Sequence, residues 1–550
     1  MPLLLHTPHD PPDRGAYDHW FATTGTAVPP GASLERAKKL PKLEIRLEEA
    51  FKDCRELWWR LGREMGAAPT AQFAQTPTAA AFGSDFGLML AWSRLAEEMA
   101  AGEDVCLAVC SDPWLFRHLA GLPGVKAGRS PRLWTRALLL RLRGLLARGK
   151  TALKAALASW RLKSLKKAHA QGGYVLLVYG HPRSDAKGYD DYFGSLMKDM
   201  PRLKRLLHTD CAAARALELS ADGRTASLHA WGNPFFALSL PFTAWRPGRV
   251  HTHGSHAWLV RRAAARENSG GGPAMNRWQH HCQKRWLARV RPSRVAWPWE
   301  NHGWERAFCR AARKQGVPTL GYQHTVIGPF QINYSTAANW DGLDSIPDLV
   351  VSNGPAYLDE LEAWGVPLKR LVIGGALRFK PFEKSLYDGQ GPVFVPLSAI
   401  PQAAKAQVKA ARALAATGRK TLVKEHPMYP LDFEEIPNLT RTKTPLQEQS
   451  GLSAVLYSTG TSGLEALLAG LPAFRLMLED RIAIDVLPAQ VAAESVTLDT
   501  VIQALNAPAR SRQLKWERVL AHPDMDLWRR LLSNVMQTEN ESKQLDPTPH

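Results

Sequence analysis

Two short polar stretches near the C-terminal end of the chain combine residue types that bind phosphate. The first is KEHP, residues 424–427, and the second is STGTS, residues 458–462. Each directly follows an apolar, β-forming run, and a helical pattern begins after the second. A helix N-terminus offers N–H groups and a partial positive charge, and imidazole, ammonium and hydroxyl groups add donors. The stretches therefore predict a phosphate site made of Lys424, His426, Pro427, Ser458, Thr459, Gly460, Thr461, Ser462 and Glu465.

The first stretch also has a plain structural interpretation. A histidine before a proline is common in turns, because the proline restricts the preceding residue to an extended conformation. A phosphate site is predicted here because the second stretch is expected on the adjacent strand, so that two polar strand ends meet at one edge of a sheet.

KEHP followed by STGTSGLEALLAGLP resembles the HP and Ser/Thr motifs of bacterial GT-B glycosyltransferases. The likeness is closest to transferases of CMP-activated nonulosonic sugars, such as sialyltransferases and Kdo transferases. The resemblance implies that His426, Pro427 and the hydroxyls of residues 458–462 hold the nucleotide phosphate. VVSNGPAYLDELEAWGVP (350–367) and VIGGALRF (372–379) are similar to the nucleotide-binding half of surface-polysaccharide transferases, which implies donor contacts from Asn353 and Arg378.

A second group of polar residues lies in WPWENHGWERAF, residues 297–308, and GYQHTVIGPF, residues 321–330. Glu300 is expected at a strand tip, where a carboxylate can act as a general base or acid, or as a nucleophile in retaining chemistry. Glu305 is a second acid–base candidate, and His324 can contact a phosphate or a sugar carboxylate. Structural alternatives stay open: a helix-start acid for Glu300, an arginine ion pair for Glu305 and a structural role for His324.

Polar residues after a predicted strand in the N-terminal half indicate an acceptor pocket. GHPR, residues 180–183, ends an apolar run, and KGYDDY, residues 187–192, follows it. We expect this pocket to be lined by His181, Arg183, Asp190 and Asp191. The acidic motif of sialyltransferases ends in glycine, whereas a tyrosine follows Asp191, so the resemblance does not identify the catalytic base.

These residues need a scaffold that brings strand ends together. Apolar runs alternate with helical stretches, and strands are predicted at 105–111, 174–180, 228–232, 293–299, 319–324, 348–354, 371–377, 392–398, 420–426, 454–460 and 472–477. Strands that are apolar on both faces and joined by helices form parallel sheets covered on both sides. Ligands of such sheets bind beyond the C-terminal ends of the strands.

The predicted fold is therefore α/β, of the GT-B type, with two Rossmann-like domains that face each other across a cleft. Its expected parts are a partly helical extension over 1–100, an N-terminal acceptor domain over 101–312 with a basic helical insert at 126–170, a C-terminal nucleotide-sugar-binding domain over 317–510, and a C-terminal helix with a disordered tail over 511–550.

Bulk composition limits the class of protein. The chain has 550 residues, 45% hydrophobic and 22% charged, which is ordinary for a soluble globular protein with more than one core. No apolar run is long enough to span a membrane, and the N-terminus lacks the pattern of a signal peptide, so we expect a cytoplasmic location. Six cysteines without CxxC spacing are expected to be reduced and packed. No GxGxxG or GxxxxGK[ST] motif occurs.

The positive charge of the chain is concentrated in one segment. The formal net charge is +19, and residues 126–167 hold thirteen Lys or Arg and no Asp or Glu. Leucine, alanine and tryptophan alternate with these cations at helical spacing, which is typical of a helix drawn to anionic lipid. A solvated helical hairpin is the open alternative. No nucleic-acid-binding module accompanies the charge, and no nucleic-acid partner is expected.

These observations combine into one functional hypothesis, a metal-independent glycosyltransferase that is peripheral on the inner membrane. It would transfer a nonulosonic acid of the Kdo, sialic or legionaminic type from a CMP-linked donor to capsule or lipopolysaccharide. Its expected partners are the nucleotide sugar, a glycan or glycolipid acceptor, and anionic lipid through 126–167, with no cofactor. Two alternatives stay open: a transferase of glycerol- or ribitol-phosphate from a CDP donor, and a non-enzymatic basic scaffold on the membrane.

Overall fold

The computed structural model describes residues 3–10, 12–27, 34–248, 253–427, 429–507 and 513–533. The predicted disordered tail lies outside these residues. The described strands form three sheets, and every strand pairing in them is parallel. No described helix is both long and apolar enough to cross a membrane. All six cysteines are buried free thiols, as predicted.

The N-terminal part of the chain forms an α/β unit of its own. Its sheet has the order β2-β3-β1-β4 and consists of β1 (Leu3–His6), β2 (His19–Ala22), β3 (Cys106–Val109) and β4 (Val125–Ala127). Its helices are α1 (Leu43–Asp53), α2 (Arg55–Gly66), α3 (Phe86–Ala101) and α4 (Pro113–Leu119). The predicted division at residues 100–101 is therefore wrong, because β3 pairs with β1 and β2 in this sheet.

A seven-stranded sheet lies at the centre of the molecule, in the order β11-β10-β9-β8-β5-β6-β7. Its strands are β5 (Tyr174–Val178), β6 (Lys204–Leu207), β7 (Thr225–Ser227), β8 (Arg294–Pro298), β9 (Thr319–Gln323), β10 (Leu349–Ser352) and β11 (Leu371–Ile373). The helices of this part of the chain are α5 (Leu133–Arg161), α6 (Leu196–Asp199), α7 (Ala213–Leu219), α8 (Pro234–Ala237), α9 (Ala257–Glu267), α10 (Gly272–Val290), α11 (Gly303–Lys314) and α12 (Pro355–Ala363). Of these, α9 packs against α3 and α4 of the N-terminal unit.

This sheet corrects two predictions. The expected domain boundary at 312–317 falls inside it, because β8 pairs with β9 and β9 with β10. Strands and helices alternate on both sides of residues 312–317, so the sequence pattern could not locate the true domain boundary. The predicted strand at 228–232 is wrong: Leu228–Trp231 is a 3₁₀ turn, whose start is fixed by the Ser227 hydroxyl accepting from the His229 N–H.

The C-terminal sheet has six strands in the order β14-β13-β12-β15-β16-β17. They are β12 (Val393–Pro396), β13 (Thr421–Lys424), β14 (Leu439–Thr442), β15 (Ala454–Tyr457), β16 (Ala473–Leu476) and β17 (Glu494–Val496). The helices are α13 (Pro401–Ala416), α14 (Ser462–Leu468), α15 (Val501–Asn506) and α16 (Met525–Leu531). The last of these returns to the central sheet, where the indole N–H of Trp528 donates to the Gly374 carbonyl at 2.9 Å.

The C-terminal edges of the two large sheets face each other. Gly328 follows β9 and lies against Asp485, in the loop after β16. A Cβ atom at position 328 would be only 2.2 Å from the carbonyl oxygen of Asp485. Only glycine allows this approach. The loops that leave the ends of parallel strands in each sheet therefore meet, which is the facing arrangement that the GT-B prediction requires.

The N-terminal unit braces this arrangement from the side. The Trp59 indole donates to the Ile332 carbonyl at 2.9 Å, which ties α2 to the segment after β9. Glu48 on α1 forms a buried ion pair with Arg475 on β16, with oxygen and nitrogen 2.7 Å apart. One small unit thus contacts both facing domains.

Candidate functional site

The central sheet has one point where its strand order reverses, between β5 and β8. Chain connections leave in opposite directions on the two sides of such a point, which opens a crevice at the carboxyl ends of the strands. Tyr179 follows β5 and Glu300 follows β8 by two residues. The predicted site residues of the N-terminal half therefore surround this crevice.

Glu300 lies between two histidines in the crevice. Its Oε2 is 2.8 Å from Nε2 of His302, and its Oε1 is 3.6 Å from Nε2 of His324. Its side chain keeps 35% of its surface exposed, whereas the histidines are more buried. One face of the carboxylate is therefore open to a ligand.

The pKa values of Glu300, His302 and His324 are shifted in different directions. Burial raises the pKa of Glu300, but the hydrogen bond from His302 and the positive charges of His302, His324 and Arg378 outweigh it and bring the pKa to about 2. Burial lowers the pKa of His324 to about 4, against the attraction of Glu300. Burial also lowers the pKa of His302, but the hydrogen bond to Glu300 and the negative charge of Glu300 have the larger effect, so the pKa is raised. Glu300 and His302 therefore form an ion pair beside a neutral His324.

Glu305 lies behind this turn and has no exposed surface. Its carboxylate accepts from the Trp297 indole at 3.1 Å and from the Glu300 N–H at 3.1 Å. Burial raises its pKa to about 7, while the charge of His302 opposes that rise. The predicted acid–base role does not fit this position, and the predicted arginine pair does not form. Glu305 instead holds Glu300 and His302 in place.

The predicted acceptor residues divide into two sets. Asp191 accepts from Nε of Arg183 at 2.7 Å and is 3.4 Å from Nδ1 of His181 and from Nη2 of Arg378. Both aspartates are buried, but the Asp190 carboxylate accepts from the Ser184 hydroxyl at 3.3 Å and lies 3.8 Å from the fully buried Arg205, so its partners belong to the core. The structure therefore assigns Asp190 to the core and leaves the other three at the crevice.

Arg378 and Asn353 do not lie in the C-terminal domain, where donor binding was predicted. The guanidinium of Arg378 is 5.1 Å from the centre of the Tyr192 ring, which in turn stands edge-to-face with His324 at 5.1 Å. Asn353 is buried, accepts from the Tyr322 hydroxyl at 2.8 Å and donates to the Thr325 carbonyl at 2.7 Å. Arg378 thus belongs to the central crevice, and Asn353 is structural.

Several aromatic residues of the crevice were missed by the sequence analysis. The Tyr179 ring packs 4.8 Å from His208, and His208 packs 4.9 Å from Trp304. His208 also lies 3.1 Å from a carboxylate oxygen of Asp210. Tyr179 and His208 directly follow β5 and β6, so their position after a buried strand was the signal that could have identified them.

The C-terminal sheet has its own reversal point, between β12 and β15. At this point the hydroxyl of Ser398, after β12, is 2.5 Å from the hydroxyl of Thr459, after β15. The φ angle of +114° at Gly460 turns the chain toward the short helix α14. Thr459, Thr461 and Ser462 keep partly exposed surfaces there.

Two members of the predicted phosphate site are used internally. Ser458 is fully buried, and its hydroxyl donates to the Leu476 carbonyl at 3.0 Å. Glu465 accepts from the Thr461 hydroxyl at 2.8 Å and from the Gln447 amide at 2.5 Å. These two residues shape the turn.

The KEHP stretch follows β13, which is separated from β15 by β12. The expectation that the two stretches end adjacent strands is therefore wrong, and they are about 10 Å apart across the sheet. His426 is half-buried beside the Tyr429 ring, 5.5 Å away, and burial and Lys424 lower its pKa. Pro427 is exposed. A ligand that uses both stretches must span β12, as a nucleotide can.

No protein-family model matches the chain, and no curated protein matches it. Similar solved structures include the glycotransferase of kitacinnamycin (12% identity, 68% of this chain and 100% of that chain, TM-score 0.37) and MurG of Acinetobacter baumannii (12%, 66% and 99%, 0.37). UDP-N-acetylglucosamine 2-epimerase from Rickettsia bellii is also similar (12%, 68% and 96%, 0.36). The chemistry of this chain is therefore inferred from its own side chains.

The charge arrangement around Glu300 generates a prediction about His302. In Glu300→Gln the attraction that raises the His302 pKa is lost while the burial remains, so this pKa should fall from above 6.5 to below it. An NMR titration of the imidazole Cε1 protons measures the change. The pKa of His426, which lies in the other domain, serves as the control and should stay constant. A His302 pKa that is equal in both proteins would contradict the proposed pairing.

Proposed function

We propose that the protein is a glycosyltransferase that moves a sugar from a nucleotide donor to a glycan or glycolipid acceptor. The observation that carries the proposal is the meeting of two reversal points. Each large sheet collects polar side chains where its strand order reverses, and the Gly328–Asp485 approach brings those two edges together. A substrate with two chemically different halves, a nucleotide and a sugar, suits a cleft of this kind.

The donor phosphate is assigned to the C-terminal edge. Thr459 and Ser462 offer hydroxyls at the β15 turn, where the Thr461 hydroxyl already donates to Glu465, and Lys424 and His426 offer N–H donors across β12. Charge-assisted hydrogen bonds of this type stabilise the negative charge that develops on a leaving phosphate. The similarity of both stretches to the HP and Ser/Thr motifs supports a CMP-linked nonulosonic acid as the donor, bound without a metal.

The central crevice is assigned to the acceptor and to proton transfer. As the bond between the anomeric carbon and the phosphate oxygen breaks, its electron pair leaves with the nucleotide, and an acceptor hydroxyl forms the new bond. The proton of that hydroxyl passes to the partly exposed carboxylate of Glu300 and from there to water. His302, which the ion pair with Glu300 keeps protonated, cannot take this proton and instead orients the carboxylate, while Glu300, with its pKa of about 2, releases the proton to water.

The basic segment supplies a second surface, which we assign to anionic lipid of the inner membrane. Helix α5 has 29 residues, about 43 Å at the usual rise. Its buried side chains recur at helical spacing along one face: Leu140, Gly144, Arg148, Ala152, Ala155 and Ser159. The opposite face carries a stripe of exposed apolar residues: Leu139, Leu142, Leu146, Leu153, Leu157 and Trp160.

A cationic stripe runs beside the apolar one. It consists of Arg136, Arg143, Lys150, Lys154 and Arg161, all exposed and spaced so that they share one side of the helix. Leu146 and Trp160 each expose 76% of their surface, and Phe235, on a segment packed against α5, exposes 81%. Apolar and cationic stripes side by side fit an interface with anionic lipid, where one enters the acyl region and the other contacts head groups.

The donor assignment predicts the effect of removing one member of the KEHP stretch. His426→Ala and Lys424→Ala should each weaken nucleotide binding by about tenfold and lower turnover, because each removes a charge-assisted contact to phosphate. Calorimetry with CMP, CDP, UDP and GDP measures the binding, and CMP release from CMP-sugars measures the turnover.

The matched control for these variants is Lys420→Ala, since Lys420 is exposed just before the opposite end of β13. This variant should behave like the unchanged protein. Consumption of CDP-glycerol in place of CMP-sugars would support the polyol-phosphate alternative, and no binding of any nucleotide would support the scaffold.

The lipid surface predicts selective loss of vesicle binding. Replacing Leu146 and Leu157 with Gln should reduce co-sedimentation with phosphatidylglycerol vesicles by tenfold or more, because each buried leucine contributes on the order of 1.5 kcal/mol. Leu368→Gln is the matched control, since Leu368 exposes 55% of its surface on another part of the molecule. Equal binding of all variants, or equal binding to neutral vesicles, would refute the assignment.

A further inference from the structure

A cavity of about 550 Å³ lies beneath the N-terminal half of α5. Its walls come from α5, from α9, from Trp114 of α4 and from residues 244–247. It is separate from both strand-end crevices described above, and neither the donor nor the acceptor assignment uses any of its residues.

The charge of the cavity wall has one sign. Four arginines line it, Arg141, Arg148, Arg246 and Arg261, and its described lining contains no Asp or Glu. Of the carboxylates on or beside α9, Asp85 and Asp112 pair with Arg262, and Glu267 accepts from the N–H groups of Gln75 and Thr76. The cavity therefore has the electrostatic character of an anion-binding site.

Arg148 makes this character more pronounced because it is a buried cation. Its Nε donates to the Pro241 carbonyl at 2.9 Å and its Nη1 to the Asn268 carbonyl, so its described partners are backbone oxygens. Burial lowers its pKa. A buried guanidinium that lacks a carboxylate is unfavourable, and a phosphate can satisfy its planar donors in pairs.

Apart from Asn268, whose side chain bonds to the Trp245 backbone, the remaining lining is apolar and leaves room for an alkyl chain. It is formed by Trp114, Leu133, Ala137, Ala244, Trp245, Pro247, Ala264 and Ala265. Trp245 is buried, and its indole N–H has no hydrogen-bond partner among the described residues. Small alanine side chains on two walls provide width, and a donor without a partner indicates a missing polar group.

The neighbourhood of the cavity points to the same kind of ligand. Leu133 lines it, and the next residue, Trp134, exposes 75% of its surface. The cavity thus adjoins the start of the exposed apolar face of α5. A molecule that has one end in a bilayer and a phosphate at the other could reach the arginines from that side.

We propose that this cavity binds an amphiphile with a phosphate head and an alkyl chain, with the arginines holding the phosphate and the alanine–tryptophan walls holding the first part of the chain. This inference deepens the proposed lipid surface and rests on it for the source of the ligand, which is either a bilayer phospholipid or a lipid-linked phosphate. The shared chemistry of both is the alkyl phosphate.

Calorimetry of the full-length protein with decyl phosphate, below its micelle concentration, tests the inference. Saturable binding at one site is expected, and it should be about tenfold weaker in Arg141→Gln, which removes an exposed lining cation, and in Ala264→Leu, which fills the cavity. Lys420→Gln changes an exposed cation that belongs neither to the lining nor to the lipid surface, and it should bind like the unchanged protein.

Two further ligands show whether both parts of the amphiphile matter. Decyl glucoside and inorganic phosphate should each bind at least tenfold more weakly than decyl phosphate. Equal binding of either ligand, or unchanged binding in both lining variants, would overturn the inference.

The two proposals can fail separately, because monomeric decyl phosphate requires no bilayer. Binding of decyl phosphate without vesicle binding would support the cavity and refute the surface. Vesicle binding without decyl phosphate binding would refute the cavity alone. Competition by phosphatidylglycerol, but not by decaprenyl phosphate, would identify the bilayer lipid as the source, and the reverse would identify a lipid-linked phosphate.

Discussion

Parallel strands end at one edge of a sheet, and this constraint determines where chemistry can occur in the molecule. Buried backbone of a parallel sheet needs every hydrogen bond for the ladder, so polar side chains collect just past the strand ends. The chain has two large sheets of this kind, and in each the strand order reverses once. The close approach of Gly328 and Asp485 then brings together the sheet edges that carry these reversal points. The acceptor and donor assignments both depend on this geometry.

At the cleft, two glutamates have different roles because their electrostatic surroundings differ. Glu300 and Glu305 are five residues apart, yet one is held ionised at the cleft and the other is buried with a raised pKa. The difference arises because burial dominates at Glu305 in spite of its N–H donors, whereas the hydrogen bond and positive charges around Glu300 outweigh burial there. A carboxylate with an open face can contact a substrate, whereas a buried carboxylate can only position the groups around it.

The sequence predicted the parallel sheets, ten of the seventeen described strands and most of the crevice, because long apolar runs and polar strand ends are local features. The strands that it missed have only three or four residues each: β1, β2, β4, β6, β7, β14 and β17. It could not predict strand order, which is set by packing between distant segments. For that reason β9, β10 and β11 were assigned to the wrong domain, and the KEHP and STGTS stretches were expected on adjacent strands although β12 separates them. Asp190 and Asn353 were misassigned for a related reason, since burial by residues far along the chain is invisible in a local pattern.

The N-terminal unit and α5 extend this core without altering its plan. The unit contacts both facing domains through the Glu48–Arg475 pair and the Trp59 indole, and α5 presents apolar and cationic stripes away from the core. Together they would hold the cleft near a lipid surface while the strand ends stay free for substrates.

A crystal structure of the protein with bound CMP tests the central claim most directly. We predict that the phosphate lies within hydrogen-bonding distance of the Thr459–Ser462 turn, that the nucleotide reaches across β12 to His426, and that the free phosphate oxygen is directed toward the loop that contains Gly328. A nucleotide bound away from both strand ends, or one whose phosphate points away from Glu300, would contradict it.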